Sequence, residues 1–294
     1  MIRGVFQWFS IFVLRCLPRN LMSRVAGWIA GWRFPQPLQK LQIVSFGKTF
    51  GVNFAEVKEP LNSFPSVQDF FVRELIDGAR PVDQDASAFV SPCDGAWGES
   101  GIVENGQILQ VKGRPYGISA LIGNEAEAAA FEGGQYATFY LSPKDYHRYH
   151  APCEGWVQQA RYMPGSLWPV NQAGVRWVDG LFAENERIVA SVCTTEEHGE
   201  VDLILIPVGA TMVGKVKLTF DDLETNLGQK EIIERSYEAS THHLAKGQEW
   251  GRFEFGSTIV MLAKPGRVDL DRQPPGTPLV LGRRIGTMSS GSAQ

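Results

Sequence analysis

From about residue 88 onward the chain is written in short apolar runs, at 107–112, 136–142, 187–193, 201–208, 211–219 and 257–263, separated by glycine-containing breaks. Several are rich in Val, Ile, Phe, Tyr or Thr. Such side chains suit a pleated surface, and the runs are too brief for ordinary helices, so the pattern predicts a β-rich core of short strands. Helical periodicity is scarce. One helix is expected around 117–131, and a short one near 67, where Ser66 and Asp69 form a capping box ahead of Phe70-Phe71. The 294 residues suit one large domain or a domain with an appendage. The fold class is therefore α+β: a β-rich core of short strands with N-terminal helices. No strand–glycine-loop–helix nucleotide fingerprint and no internal repeat is present.

The N-terminal helices carry the charge asymmetry. Residues 1–55 hold seven basic side chains and no acid, which leaves −11 on the remainder of a chain of net charge −4. The apolar run 5–14 is too short to span a bilayer as a helix, and Arg15 and Pro18 stop its extension. A signal peptide is the nearest rival, but Arg19, Arg24, Trp28, Trp32 and Arg33 follow without a clear small-residue cleavage site. The arrangement reads as amphipathic helices lying in a membrane interface, with Trp and Phe at the headgroup boundary and Arg on anionic phosphates. An amphipathic helix packed on the core is the alternative. Pro35 and Pro37 are expected to end the segment. Three regions result: 1–55 membrane-associating, 56–283 β-rich and catalytic, and a small polar tail at 284–294, expected to be disordered. Beyond the N-terminus no basic stripe points to nucleic acid. Cys16, Cys93, Cys153 and Cys193 are widely spaced, without a CxxC pair, and fit free cysteines in a reducing compartment.

Three clusters could carry chemistry. Ser91-Pro-Cys-Asp94-Gly95 is a turn whose Asp94 is either a turn former or a functional carboxylate. In Tyr140-Leu-Ser-Pro-Lys-Asp-Tyr-His147-Arg-Tyr-His150, two of the five histidines lie three residues apart. Imidazoles titrate near neutrality and suit acid–base work, though a structural pair fits equally; no third ligand with metal spacing follows. The stretch from Lys246 to Phe255-Gly256-Ser257-Thr258 opens an apolar strand, and a hydroxyl-capped turn would account for it. His198, His242 and His243 lie in polar stretches and read as solvent-exposed loop residues.

Taken together and in order, these clusters are similar to the phosphatidylserine decarboxylase family. The resemblance extends to Phe70-Phe71-Val72-Arg73, Met163-Pro-Gly165, Leu181 to Arg187 and Val208 to Gly214, and covers roughly residues 60–270. One departure is Phe255, where many members carry Leu. The resemblance implies self-cleavage between Gly256 and Ser257 into chains 1–256 and 257–294, with Asp94, His150 and Ser257 as a charge-relay set in the manner of a serine-protease triad. It implies that Ser257 becomes a pyruvoyl group, the only cofactor, with no metal and no pyridoxal phosphate. That group would form a Schiff base with the serine amine of phosphatidylserine and release CO2, leaving phosphatidylethanolamine, with His147 as proton donor. Tyr140, in the same segment, is a further candidate, for orienting the substrate. The partners implied are membrane phosphatidylserine and the enzyme's own two fragments as a heterodimer. The location implied is peripheral, on the cytoplasmic side of the cell membrane, without a transmembrane helix. The competing functions are a serine hydrolase using Asp94, His150 and Ser257 without self-cleavage, the same pyruvoyl chemistry on a soluble amino acid, and a non-enzymatic membrane-associated β-domain.

Overall fold

The computed structural model describes residues 11–110, 113–195, 199–211, 215–238, 241–254 and 258–289. His198, Phe255, Gly256 and Ser257 therefore lie outside the described residues. Helices come first: α1 (Arg19–Ala30), α2 (Gln36–Phe50) and α3 (Val67–Phe71), then α4 (Ile118–Ile122), α5 (Glu125–Ala129), α6 (Gln172–Trp177) and α7 (Leu181–Glu184). The strands are β1 (Ala88–Val90), β2 (Gly95–Ile102), β3 (Gln107–Gln110), β4 (Arg114–Gly117), β5 (Gln135–Tyr140), β6 (Arg148–His150), β7 (Gly155–Met163), β8 (Arg187–Cys193) and β9 (Leu203–Val208). They continue as β10 (Val216–Leu218), β11 (Ile233–Ser236), β12 (His243–Leu244), β13 (Glu249–Phe253), β14 (Thr258–Ala263), β15 (Val268–Leu270), β16 (Pro278–Leu279) and β17 (Arg284–Met288).

A nine-stranded sheet dominates, in the order β11-β7-β8-β9-β14-β5-β2-β16 with β12 also on β7, and its pairings are antiparallel. Two three-stranded sheets, β1-β17-β15 and β10-β13-β6, and a β3-β4 hairpin accompany it. The unbroken apolar texture of β8, β9 and β14 has a direct cause: every residue of these strands is buried. Ile259, Met261 and Ala263 enter one apolar cluster, while Val260 and Leu262 enter the other, on the opposite face. With both faces covered, alternation disappears from the sequence although the strand keeps its period of two.

Three expectations need correction. The helix at 117–131 is two short helices, because Gly123 turns left-handed (φ 80°) and Asn124 caps the second, accepting from Glu127 N. Pro35 and Pro37 do not close the N-terminal helices. Pro35 caps α2 and Pro37 stands in its first turn, where a missing N–H costs nothing. The fully buried Ile43 of α2 packs with Val57, Phe64 and Phe70, so this cluster crosses the expected boundary at 55. The tail expected to be disordered from 284 contains β17, which pairs with both β1 and β15 and places Ile285 in the first core cluster.

The short helix near 67 is α3, with Ser66 accepting from Asp69 N as its cap. Cys93, Cys153 and Cys193 are free and buried. His243 is exposed, but on β12 rather than in a loop, and pairs with Glu154 at 2.9 Å.

Candidate active site

The 140–150 segment leaves β5 through a tight turn. Ser142 donates from both its backbone N and its hydroxyl to the Asp145 carboxylate, each at 2.7 Å. The turn presents the Asp145 carbonyl to two donors: His147 Nδ1 at 2.8 Å and Arg73 Nη2 at 3.1 Å. Arg73 also donates to the Lys144 carbonyl at 2.9 Å. His147 is wholly buried and packs on Phe71, ring centroids 4.0 Å apart. Burial, aided by the nearby Arg73 charge and opposed by the Asp145 carbonyl, pushes the His147 pKa down to about 3. The ring is therefore neutral, protonated on Nδ1, and bare at Nε2, which is buried without a hydrogen-bond partner among the described residues.

His150 repeats the arrangement three residues on. Its Nδ1 donates to the Gly247 carbonyl at 2.8 Å, and its buried Nε2 has no partner among the described residues. Burial lowers its pKa; the Gly247 carbonyl is the largest of the influences opposing this, and the Asp94 charge is a minor one. The backbone N of His150 donates to the Pro92 carbonyl at 2.8 Å, which draws the Asp94 turn alongside β6.

Asp94 itself is engaged elsewhere. Arg80 Nε donates to both carboxylate oxygens at 2.8 and 2.9 Å, Arg80 Nη2 adds a bond at 2.7 Å, and Leu281 N donates at 2.9 Å. Hydrogen bonding to Asp94 holds the Arg80 guanidinium charged beyond its ordinary range. The hydrogen bond that fixes the His150 tautomer thus comes from a backbone carbonyl, where a triad would use Asp94. Sequence reasoning missed Gly247 because a carbonyl acts without a side-chain signature, and Arg80 because nothing in its local pattern marks it. Arg73 had a signal, since it sits in the Phe-Phe-Val-Arg run, yet no role was read from it.

β13 pairs with β6, Glu249 opposite His150, and Phe253 N donates to the His147 carbonyl at 2.9 Å. β13, zipped onto the histidine segment, ends at Phe253, and β14 begins at Thr258 at the centre of the large sheet. Tyr140 is paired with both Ala96 and Thr258. Its phenol pKa is raised by burial first and by Asp145 second. Thr138, Tyr140 and Thr258 share one sheet face, and the Thr138 and Thr258 hydroxyls are buried without partners among the described residues. Among the described residues no three His, Cys, Asp or Glu side chains gather to hold a metal ion.

The geometry defines a class: antiparallel-sheet proteins that hold two buried imidazoles through Nδ1 on backbone carbonyls. The chain belongs to the phosphatidylserine decarboxylase family, whose sequence profile matches residues 67–287. It is 43% identical to a phosphatidylserine decarboxylase proenzyme of Anaeromyxobacter sp. (strain K), over 94% of this chain and 97% of that protein. It is 37% identical to one of Myxococcus xanthus over 94% and 97%, and 40% identical to one of Stutzerimonas stutzeri over 92% and 91%.

Proposed function

We propose that the chain is a self-processing decarboxylase that converts phosphatidylserine to phosphatidylethanolamine and CO2, using a pyruvoyl group made from its own Ser257. The observation that carries this reading is the His150 ring, its pKa lowered by burial, held through Nδ1 by Gly247, with a buried Nε2 that has no partner among the described residues. A general base for an internal serine needs that state. His150 Nε2 takes the Ser257 hydroxyl proton as the oxygen attacks the Gly256 carbonyl. Asp94, pinned by Arg80, lends negative potential to the imidazolium that forms.

The residues also suit the group left at 257. The Nε2 atoms of His147 and His150 and the Thr138 and Thr258 hydroxyls, buried and without partners among the described residues, are of the kind that could give polar contacts to a small carbonyl-bearing group. The pyruvoyl group supplies a ketone that captures the substrate amine and an electron sink for the pair left by departing CO2. His147 rests as a base, so its part as proton donor has two strokes: Nε2 first takes a proton from the substrate ammonium, then returns it to the α-carbon. Tyr140, kept protonated, donates a hydrogen bond that orients the substrate.

The fragments 1–256 and 257–294 form a heterodimer without further attachment. The small one owns β14, which lies between β5 and β9 at the middle of the sheet, and β17, which lies between β1 and β15. The enzyme works as a peripheral protein on the cytoplasmic side of the cell membrane, where its substrate resides; among the described residues no helix is long and apolar enough to cross a bilayer.

Intact-protein mass spectrometry under denaturing conditions tests the proposal. Two chains, with a ketone in place of the amine at residue 257, are expected from the native sequence, and one uncut chain from Ser257→Ala. A folded native chain that remains whole, with an unmodified Ser257, would refute it.

A further inference from the structure

Three residues of the Phe70-Phe71-Val72-Arg73 run reach the histidine segment. Phe71 packs on the His147 ring, and the Val72 carbonyl accepts from Arg148 Nε at 2.9 Å. Arg73 grips the turn before His147 with one nitrogen, Nη2, which donates to the Lys144 carbonyl and to the Asp145 carbonyl. The second of these is also the acceptor of His147 Nδ1, so one carbonyl oxygen holds the guanidinium and the imidazole together, with both lone pairs taken.

Two bonds to neutral carbonyls do not call for a cation. Arg73 is only 4% exposed, and its Nε and Nη1 are buried without partners among the described residues. No carboxylate of the described residues lies within ion-pair distance of it. The acids that feel its charge are engaged elsewhere: Asp94 with Arg80 and Leu281 N, and the Asp145 carboxylate with Ser142. Burial pulls the Arg73 pKa down to about 10, which leaves it charged at neutral pH. A guanidinium kept in the interior without an acid is unfavourable, and a neutral amide could staple the turn at less expense. What the charge adds is felt by His147. Among the described residues Arg73 is the charged group that acts on that ring, and it opposes a proton there. Of the other groups brought near, Tyr146 is kept protonated by burial, Arg80 acts on Arg73 as a minor repulsion, and β13 contributes the uncharged Phe253 N–H to the His147 carbonyl.

Resting on the decarboxylase reading, we infer that Arg73 is a positioning residue for the decarboxylation step: it fixes the His147 ring through their shared carbonyl and sets an uncompensated positive charge beside it. A proton taken up by His147 Nε2 from the substrate ammonium is then held against repulsion and passes readily to the α-carbon. His150 feels no such influence from Arg73, so self-cleavage does not depend on it.

The test compares the native chain with Arg73→Gln, which keeps an amide donor for the turn and loses the charge, and Arg73→Lys, which keeps the charge. CO2 release from a short-chain phosphatidylserine below its micelle concentration is followed from pH 7 to pH 4.5, and fragment formation on a denaturing gel reports folding. Both variants should self-cleave. At pH 7 Arg73→Gln should lower kcat about tenfold or more, with KM changed less than about threefold. Without the cation His147 takes up a proton at higher pH than in the native chain, and a protonated ring cannot accept from the substrate. The ratio of Arg73→Gln to native kcat should therefore fall by a further twofold or more, roughly, between pH 7 and pH 4.5. The ratio for Arg73→Lys should stay level and its kcat should lie closer to native. A level ratio for Arg73→Gln, whatever its size, overturns the inference, because a mere staple of the turn would not move the pH profile. So does a ratio for Arg73→Lys that falls as steeply, and so does failure of both variants to self-cleave. If the native chain itself releases no CO2, it is the decarboxylase reading that fails.

Discussion

A histidine buried as a neutral ring destabilises its protein when acid forces a proton onto it. His147 has an ordinary pKa of 6.5 in the unfolded chain and about 3 in the folded one. Above pH 6.5 neither state binds the proton and no stability is lost. As pH falls through 6.5 toward 3 the unfolded state binds it first, and stability drops by up to about 1.4 kcal/mol per pH unit. In a Ser257→Ala background, which keeps unfolding to one chain, the loss in urea-derived stability from pH 7 to pH 5 should shrink by about 2 kcal/mol on His147→Asn. An identical pH dependence in the two chains would mean that His147 is not neutral by burial. Both histidines and Asp94 were legible as candidates, because their side chains are titratable and stand in motifs. The groups that set their states were not: Gly247 and Asp145 act through carbonyls, and Arg80 reaches Asp94 from fourteen residues upstream.

At the scale of elements, β2 must pass so near β5 that only hydrogen fits at its first residue. Gly95 has φ 149°, and a Cβ there would lie 2.2 Å from the Tyr140 carbonyl oxygen. Gly95→Ala should therefore cost about 2 kcal/mol or more. It should also slow self-cleavage by displacing Asp94 next door. A thermal melt of the uncut Ser257→Ala background and a cleavage time course of the otherwise native chain measure the two effects; an unshifted Tm with normal cleavage would show that the strand yields cheaply. The strand runs themselves were readable because β-branched and aromatic residues crowd them. β17 was not. Its Arg-Ile-Gly-Thr-Met sequence has the composition of a loose tail, and its stability comes from two neighbours and from a Gly286 whose missing Cβ would lie 2.5 Å from the Asp269 carbonyl oxygen. Close backbone approach of this kind leaves no local pattern.

For the whole molecule, the basic excess of residues 1–55 was plain in the sequence, but the way α1 sits could only come from the structure. The helix is docked by its polar side. Arg19 Nε donates to the Ser166 hydroxyl and Asn20 to the Gly165 carbonyl, each at 3.0 Å, while the Arg19 guanidinium stacks 3.6 Å from the Trp168 ring centre and Ser23 is buried. Its apolar side faces outward: Leu21, Val25 and Ile29, one per turn, are 54%, 44% and 51% exposed. A surface helix of a soluble protein turns these faces the other way. An outward apolar stripe flanked by arginines suits the boundary of an anionic bilayer, where apolar area and basic charge add. Replacing Leu21, Val25 and Ile29 together by Ser leaves the docking contacts in place, so self-cleavage should proceed as in the native chain. Flotation with phosphatidylglycerol-containing vesicles should show the bound fraction falling about tenfold, since each side chain forfeits part of the ~1.5–3 kcal/mol that full burial of such a residue is worth. Raised salt should weaken native binding further through the arginines. Undiminished flotation of a cleaved, folded triple variant would move the membrane contact away from α1 and leave its outward stripe to be covered by something other than lipid.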